Sequence, residues 1–382
     1  MNEQHMLRLI EALENKGIDA LITTHNADIR WQTGFADVFD EEQAHLTLLI
    51  CESAHESACL FTDMRYSEAF RSLDKQGYWR VFDERRRRFP HVAEVLAESL
   101  SADLRTQAQS KPLVIGIESD LRLDWYRALD TSLGELKGFT YELRELKDLI
   151  VGLRAKKTTK EIQLIKQTQA ITDAAYGHML DYLKPGQTER EVAAELEFFM
   201  KRSGASGLSF PSIVASGPNS AIPHFVPSDR VLQHGDIVLM DFGARLNDYC
   251  TDMTRTVILG EANEQQRDMY AATLAAQKAV IAALKPGLQG LEVQKIAEDS
   301  IAEHGFEGKL IHSVGHGVGI EIHELPVAAR EITDRLEPGH VITVEPGVYL
   351  EGVGGVRIED FGVITKDGFE NFTNSPTDLI IL

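Results

Sequence analysis

The stretch DIVLMDFGARLNDYCTDMTRTV, residues 236–257, contains two runs of alternating apolar and polar residues that predict two strands joined by a tight turn. We expect the turn at Leu246-Asn247. Folding there would make Asp241 and Asp252 direct cross-strand neighbours on one face, with their Cβ atoms about 5 Å apart. Two bare carboxylates placed this way repel each other and destabilise the sheet. The pattern therefore predicts a proton or a cation between them.

A second acidic hairpin is predicted in HVITVEPGVYLEGVGGVRIEDFGVI, residues 340–364. Its glycine-rich centre at Gly352 favours a turn that brings Glu345 opposite Glu359. Both hairpins have apolar flanks, which are typical of buried strands. Buried carboxylates need a metal, a partner or a proton. The chain thus has four carboxylates to accommodate in its interior.

The second half of the chain repeats itself. LKPG at 183–186 returns at 284–287, and the glycine at a predicted helix end, Gly204, returns at the same offset as Gly305. LQHGDIVLMDFG, at 232–243, resembles LEPGHVITVEPG, at 336–347. The repeat predicts a duplicated helix–helix–hairpin unit about a pseudo-twofold axis. Such an axis would bring both acidic hairpins to one central site.

Four histidines lie in stretches that resemble parts of a site, and the last three share a glycine-rich segment: His224, His312, His316 and His323. Four carboxylates with one imidazole form an oxygen-rich set that suits two bridged divalent ions. Mn²⁺ is favoured, with Co²⁺, Fe²⁺ or Zn²⁺ as alternatives. A single Ca²⁺ is the competing interpretation, but calcium sites depend on loops and backbone carbonyls. Two metals lower the pKa of a bridging water and stabilise an oxyanion, so the set predicts hydrolysis.

Residues 1–152 alternate strand and helix patterns, which predicts an α/β domain with a mainly parallel or mixed sheet. Leu146–Lys157 is interpreted as the linker to a second domain, 153–382. Thr158 and Glu161 form a capping box that predicts a long helix to about Tyr182. The N-terminal elements are expected as strands at 19–23, 45–51, 58–62, 79–82 and 112–117 and helices at 4–16, 64–75, 92–101 and 121–133.

Composition limits the functional classes. The 382 residues include 59 acidic and 39 basic side chains, and the net charge of −20 argues against nucleic acid and anionic membranes as partners. We find no apolar run long enough to cross a bilayer. Three cysteines do not indicate a disulfide framework, so a reducing cytoplasm is expected. The basic run Arg85–Arg88 is interpreted as a solvated face rather than an anion site.

At the acidic hairpins and the histidine segment, the sequence resembles the pita-bread-fold metallopeptidases, peptidase family M24. Within that family it is most similar to the aminopeptidase P and prolidase branch. The resemblance covers the whole chain, including ADIRWQTGF at 27–35 and GVRIED at 355–360. It implies an α/β N-terminal domain, then an α+β pita-bread catalytic domain with an internal pseudo-twofold repeat. The positions that hold the metals in this family are occupied here by Asp241, Asp252, His316, Glu345 and Glu359.

The resemblance also implies an activity and a role for each residue. Water held by two divalent ions, most often Mn²⁺, would hydrolyse the Xaa-Pro bond at the N-terminus of short peptides or dipeptides. Glu345 would activate that water, His224 and His323 would hydrogen-bond the substrate carbonyl and aid proton transfer, and His312 would line the pocket. Side chains expected to orient the ligand carboxylates are Arg357, Thr254 and Thr343. The family is commonly a homodimer.

Several alternatives stay open. In HELPVAAR the arginine that prolidases use for a dipeptide's free carboxylate is displaced to Arg330, so dipeptidase and aminopeptidase are both possible. Methionine aminopeptidase shares the five ligands but normally lacks such a first domain. A non-peptide amide hydrolase, such as ectoine hydrolase, is a competing function on the same fold, whereas creatinase dispenses with the metal. A catalytically silent peptide-binding member is the last alternative.

Overall fold

The computed structural model describes residues 3–35, 45–51, 57–74, 79–83, 88–138 and 140–382. The chain divides into two compact units, Met1–Leu153 and Arg154–Leu382. Of the basic run at 85–88, the first three residues lie outside the described residues, as does Lys75 at the end of a predicted helix. Arg88 begins a helix and its guanidinium lies 5.0 Å from the ring centroid of Trp125. Among the described residues, every helix is too short or too polar to cross a bilayer.

The first unit is a six-stranded mixed sheet flanked by helices, with the strand order β4-β3-β2-β1-β5-β6. Strands β1 and β5 run parallel, whereas β1 and β2 run antiparallel. The predicted α/β architecture is therefore confirmed. Its elements are α1 (Glu3–Asn15), β1 (Ala20–Thr23), α2 (Asn26–Thr33), β2 (Leu46–Ile50), β3 (Ser57–Thr62), α3 (Ser67–Asp74), β4 (Trp79–Asp83), α4 (Arg88–Ser99), α5 (Ala102–Gln107), β5 (Leu113–Ile117), α6 (Leu123–Gly134) and β6 (Tyr141–Glu145).

The sequence patterns did not indicate α2, α5 or β6. Burial explains one of these omissions, because six of the eight residues of α2 are buried, polar ones among them, so polar and apolar residues do not separate into two faces. Strand β6 has no fully buried residue, but Tyr141 and Leu143 alternate with charged residues and pack against the core, so its sequence does carry a strand pattern.

The second unit builds its core between four long helices and two main sheets, one of four strands and one of five strands. A short helix, α7 (Leu149–Ala155), connects the two units along the chain. The elements that follow are α8 (Thr159–Tyr182), α9 (Glu189–Arg202), β7 (Gly207–Leu208), β8 (Ile213–Ser216), the 3-10 helix Gly217–Ala221, β9 (Ile237–Phe242), β10 (Ala244–Leu246), β11 (Tyr249–Cys250), β12 (Met253–Ile258), α10 (Glu264–Ala283), α11 (Gly290–Glu303), β13 (Gly315–Gly317), β14 (Glu324–Ala328), β15 (Val341–Val344), β16 (Gly347–Leu350), β17 (Gly354–Arg357), β18 (Asp360–Ile364), β19 (Phe369–Asn371) and β20 (Ile380–Ile381).

The predicted duplication is visible in the order of these elements. Helices α8 and α9 precede the hairpin β9–β12, and helices α10 and α11 precede the hairpin β15–β18. The first helix of each half begins with a capping box, at Thr158 and at Asn263. The repeated LKPG turn ends each of these helices, and its glycine has a positive φ in both copies, 97° at Gly186 and 88° at Gly287. Glycine adopts this left-handed conformation without steric cost, which explains why both copies keep it.

The register of the first hairpin differs from our prediction. Asp241 pairs with Thr254, and Asp252 lies one diagonal step away, so the two carboxylates are not direct neighbours. The turn falls on Asn247 and Asp248, both with positive φ, instead of on Leu246-Asn247. Asn and Asp suit a two-residue turn of this type, whereas leucine does not. Because the slip changes the partner by two residues, both carboxylates stay on one face.

The second hairpin has the predicted register. Val344 pairs with Asp360 on one side of the acidic pair, and Gly347 pairs with Arg357 on the other. This register places Glu345 opposite Glu359. Gly352 lies in the turn with a φ of 77°, as its central position in the glycine-rich segment predicted.

Candidate metal centre

The two hairpins deliver their carboxylates where strands begin or end. Asp241 lies on β9 and Asp252 directly precedes β12, while Glu345 follows β15 and Glu359 precedes β18. The hairpins meet at the centre of the unit, where the amide of Glu359 donates to the carbonyl of Thr254 at 3.1 Å. All five candidate ligands, including His316 on β13, line one cavity of about 320 Å³.

Three of the five candidate ligands form the tightest group. One ligand atom from each of Asp252, His316 and Glu359 lies within 4.8 Å of the others. Nε2 of His316 is also 3.4 Å from Oδ2 of Asp252 and 3.4 Å from Oε1 of Glu345. Asp241 lines the same cavity, and its charge helps to raise the pKa of Glu345.

Carboxylate oxygens without partners show that the cluster fits a cation. Among the described side chains, Oδ1 of Asp241, Oδ1 of Asp252 and Oε1 of Glu359 are buried and accept no hydrogen bond. A buried acceptor left unpaired costs about 1–3 kcal/mol, and more when it is charged. Three such oxygens on one cavity are what a bound divalent cation would satisfy.

His316 directs a nitrogen lone pair towards the carboxylates of this cluster. Its Nδ1 lies 3.1 Å from the carbonyl oxygen of Gly317, so this nitrogen carries the proton and donates it. Nε2 is then unprotonated and directed at the carboxylates of Asp252 and Glu345. Burial, with His323 nearby, lowers the pKa of His316 to about 3, which keeps the imidazole neutral. A lone pair facing two carboxylates is repulsive unless a cation lies between them.

Without a cation, the carboxylates hold protons strongly. Burial raises the pKa of Asp252 and of Glu359 well above the usual range. The charges of Asp241 and Glu345 raise both pKa values further. Burial also raises the pKa of Glu345 to about 8, although Arg357 opposes this rise. The donor set of four carboxylates and a neutral imidazole is therefore chemically matched to two divalent ions. It matches oxygen-preferring metals best.

Arg357 connects several groups of the centre. Its Nη2 donates to Oδ2 of Asp241 at 2.5 Å, its Nε to Oγ1 of Thr254 at 2.9 Å and its Nη1 to the hydroxyl of Tyr349 at 2.8 Å. The hydroxyl of Thr254 in turn donates to Oε2 of Glu359 at 2.7 Å. One guanidinium thus sets the orientation of carboxylates from both hairpins.

Thr343 makes a looser contact of the same kind. Its hydroxyl lies 3.4 Å from Oε1 of Glu345 and accepts the amide of His316 at 3.0 Å. It therefore lies between two candidate ligands that belong to different strands.

His224 and His323 both line the cavity, and both side chains are exposed at its opening. The ring of His323 lies 4.4 Å from that of His316 between centroids. Burial and the nearby His224 lower the pKa of His323 below its usual value. An imidazole at the opening can donate a hydrogen bond to a carbonyl oxygen or accept a proton.

His312 has a different position from the other three candidate histidines. It is not among the residues that line the cavity, and its Nδ1 is 4.0 Å from Oε2 of Glu345. That nitrogen donates to the carbonyl of Ser313 at 2.7 Å, so Nε2 accepts from the hydroxyl of Tyr349 at 2.9 Å. His312 therefore ends the chain of hydrogen bonds that begins at Arg357, and its place in the substrate pocket stays a prediction.

Sequence reasoning missed Tyr349 and the apolar wall of the cavity. Tyr349 is buried on β16, where a phenol requires a hydrogen-bond partner, but its position between Arg357 and His312 is not visible in any local pattern. The wall is formed mainly by the stretch FPSI at 210–213 and by Phe225, Val226, Pro227 and Ile322. The abundance of proline and aromatic residues on either side of His224 was the available signal.

Comparisons with known proteins agree with this geometry. Residues 163–366 match Metallopeptidase family M24, and residues 6–155 match the Creatinase/Prolidase N-terminal domain. The chain is 36% identical to the uncharacterized peptidase YqhT of Bacillus subtilis over 96% of both chains. It is 43% identical to the Xaa-Pro dipeptidase of Pyrococcus furiosus over 63% of this chain and 69% of that one.

Among solved structures, the Xaa-Pro dipeptidase from Bacillus anthracis matches over 99% of both chains, with a TM-score of 0.87 and 36% identity. The fold, the acidic cluster and these matches lead to one conclusion: the chain is a member of metallopeptidase family M24 that carries a creatinase/prolidase N-terminal domain.

Proposed function

We propose that this metallopeptidase hydrolyses the Xaa-Pro bond at the N-terminus of short peptides, using two divalent ions held by Asp241, Asp252, His316, Glu345 and Glu359. The observation that carries the proposal is the group of buried, unpaired carboxylate oxygens on one cavity. The Xaa-Pro specificity is supported by relatives whose names include Xaa-Pro dipeptidase. Mn²⁺ is the proposed metal because the donor set is rich in oxygen.

The two ions, when bound, would polarise the scissile carbonyl. They would also lower the pKa of a water molecule, so that it can lose a proton and attack that carbonyl. Residues of the chain would accept and transfer the protons. We assign the proton acceptor to Glu345, whose Oε1 lies near the hydroxyl of Thr343 and whose Oε2 lies 4.0 Å from Nδ1 of His312. The water oxygen bonds to the carbonyl carbon, the carbon–nitrogen bond breaks, and the proton passes to the prolyl nitrogen.

His224 and His323 are assigned to the substrate carbonyl. Both are exposed at the opening of the cavity, where a peptide backbone would pass, and an imidazole ring N–H can donate a hydrogen bond. A donor that meets the oxygen as it acquires negative charge stabilises the transition state more than the ground state. These histidines thus have the task of an oxyanion site.

The apolar wall supports a preference for proline. A prolyl residue has no N–H to donate, so recognition must come from shape and apolar contact. Phe210, Ile213, Phe225 and Ile322 provide such contact beside the candidate ligands. These side chains form an apolar surface that a prolyl ring can contact.

Peptide length is the finer part of the proposal. Arg330, the cation expected for a dipeptide's free carboxylate, pairs with Glu298 at 2.6 Å and donates to the carbonyl of Leu310 at 3.2 Å. It does not line the cavity. We therefore propose that the enzyme also accepts peptides that continue beyond proline. We also propose two domains, at 1–152 and 153–382. The enzyme is proposed to assemble as a homodimer, which light scattering would test.

The test is an assay of protein reconstituted with Mn²⁺. It compares an Xaa-Pro dipeptide, an Xaa-Pro-Yaa tripeptide and matched peptides with alanine in place of proline, with and without a chelator. The proposal expects cleavage of the proline peptides only, and loss of cleavage with the chelator or with Asp252→Asn. Equal cleavage of the alanine peptides would refute the specificity, and no turnover of any peptide would refute the proposed activity.

A further inference from the structure

Glu189 is a fully buried carboxylate at the first position of α9, where helices normally expose their acidic residues to water. The helix does not need it as a cap. Thr188 and Glu191 already form a capping box, and Glu191 is fully exposed. Glu189 therefore has a different task from the other acidic residue in the same turn.

The carboxylate of Glu189 is surrounded by donors from a single segment of chain. Oε1 accepts the amide and the hydroxyl of Ser216, both at 2.7 Å, and Nδ2 of Asn219 at 3.0 Å. Oε2 accepts the amide of Ser228 at 3.1 Å, its hydroxyl at 2.6 Å and Nδ2 of Asn219 at 3.2 Å. One side chain thus binds both ends of the segment between Ser216 and Ser228.

Arg230 determines the direction of the two hydroxyl bonds. Its Nη1 donates to Oγ of Ser216 at 2.6 Å, and its amide donates to Oγ of Ser228 at 3.1 Å. Each hydroxyl therefore has its proton free for Glu189, which must accept with both oxygens. An amide at this position would place an NH₂ group against other donors, so glutamine cannot reproduce the arrangement.

The segment between these ends carries His224. After the 3-10 helix Gly217–Ala221 it has no regular structure, and Ile222, His224 and Val226 are exposed. Between Ile222 and Ser228 no side chain is fully buried, so packing holds this part of the segment only weakly. Its middle is attached by the carbonyl of Pro223, which accepts a hydrogen bond from Nη1 of Arg357 at 3.3 Å. The position of His224 over the cavity depends mainly on how the ends are anchored.

The internal repeat shows that the fold itself does not require this carboxylate. The residue at the corresponding position of the second half is Gly290, the first residue of α11. A Cβ atom there would lie 2.3 Å from the carbonyl oxygen of Val327, so no side chain fits. Both helices form, but only the one beside the His224 segment has a glutamate at this position.

We propose that Glu189 is a positioning residue that holds His224 at the opening of the cavity by closing the two ends of the 216–228 segment. The task of His224 in turnover rests on the proposed function, but the anchoring does not. The variant is Glu189→Gln, and the matched control is Glu191→Gln, which changes the exposed carboxylate of the same helical turn. Glutamine already completes a capping box elsewhere in this chain, at Gln266, so the control should fold normally.

The measurements are hydrogen exchange by mass spectrometry over 213–230, Mn²⁺ binding to the full chain, and kcat and KM for an Xaa-Pro peptide. In Glu189→Gln we expect exchange at Ser216 and Ser228 to be about tenfold faster, because their amides bond directly to Glu189. Mn²⁺ affinity and exchange over 253–258 should stay unchanged. We expect kcat/KM to fall by about tenfold or more, since small displacements of a positioned group are costly. Glu191→Gln should resemble the unmodified chain in all three measurements.

Exchange at the unmodified rate in Glu189→Gln would overturn the inference, and so would a parallel loss of Mn²⁺ binding, because the role would then be general. If Glu189→Gln does not fold, Ser228→Ala removes one donor and should shift exchange over the segment in the same direction. If the unmodified enzyme cleaves no Xaa-Pro peptide, the proposed function fails, while exchange and Mn²⁺ binding still decide whether Glu189 anchors the segment.

Discussion

Nη2 of Arg357 donates a hydrogen bond to Oδ2 of Asp241 at 2.5 Å, and so joins β17 of the second duplicated half to β9 of the first. Both side chains are buried. The bond leaves Oδ1 of Asp241 as the oxygen available to a cation. The orientation of this candidate ligand is therefore set by a residue that is not itself a ligand.

We predict that Arg357→Lys weakens Mn²⁺ binding by about 10- to 100-fold, the usual cost of losing a residue that orients a metal ligand. Lysine has a single donor group and cannot reach Asp241, Thr254 and Tyr349 at once. Titration of metal-free protein with Mn²⁺ measures the change. The exposed Arg335→Lys serves as control, and an unaltered affinity in Arg357→Lys would show that the guanidinium does not orient the ligand.

Metal removal should destabilise the second unit. Unpaired carboxylates repel one another, and a ligand present at a hundredfold excess over its Kd stabilises a fold by about 2.7 kcal/mol. For a unit of this size that corresponds to an increase in Tm of about 5–10 °C. Calorimetry with Mn²⁺ and with a chelator tests this. We expect Asp252→Asn to abolish the difference, and an equal Tm in both conditions would argue against a bound metal.

We predict that His323→Ala lowers kcat/KM for an Xaa-Pro peptide by about 100-fold or more while Mn²⁺ binding persists. The loss reflects a donor that acts on the developing oxyanion. His304→Ala is the matched control, because His304 is an exposed histidine whose ring bonds to the carbonyl of Ser300, four residues before it. Full activity in His323→Ala would remove that histidine from the mechanism.

Glu118 provides a pH-dependent test in the first unit. Burial raises its pKa to about 7, against the hydrogen bonds that it accepts from Thr24 and His25. The folded state therefore binds this proton more tightly than the unfolded state, so the free energy of unfolding should fall as pH rises from about 4.5 to about 7. All three tryptophans, Trp31, Trp79 and Trp125, belong to this unit and report its unfolding.

The measurement is urea unfolding followed by tryptophan fluorescence at pH 5, 6, 7 and 8. The difference between the unmodified chain and Glu118→Gln isolates the contribution of Glu118, because other titrating groups are common to both. We expect the unmodified chain to lose stability relative to Glu118→Gln across this window. A difference that stays constant with pH would show that Glu118 keeps its ordinary pKa.

Much of the catalytic unit could be predicted because its signals are local or repeated. The glycines of the two LKPG turns, the capping box at Thr158 and the apolar flanks of the acidic hairpins each depend on residues close in sequence. The turn predicted at Gly352 was enough to place Glu345 opposite Glu359. For Asp241 the alternation gave the correct face but the wrong partner, because the turn residues and not the alternation decide the register.

The amino-acid sequence by itself determined the α/β and duplicated architecture, the acidic hairpins and the oxygen-rich set of candidate ligands, since periodicity and turn chemistry act over a few residues. Only the tertiary structure decided which side chains hold that set in place. Tyr349 lies between Arg357 and His312, and Glu189 binds both ends of the 216–228 segment that carries His224. These contacts join elements that are far apart in the chain. Such contacts leave no period in the sequence, because each depends on how separate strands, helices and loops pack together.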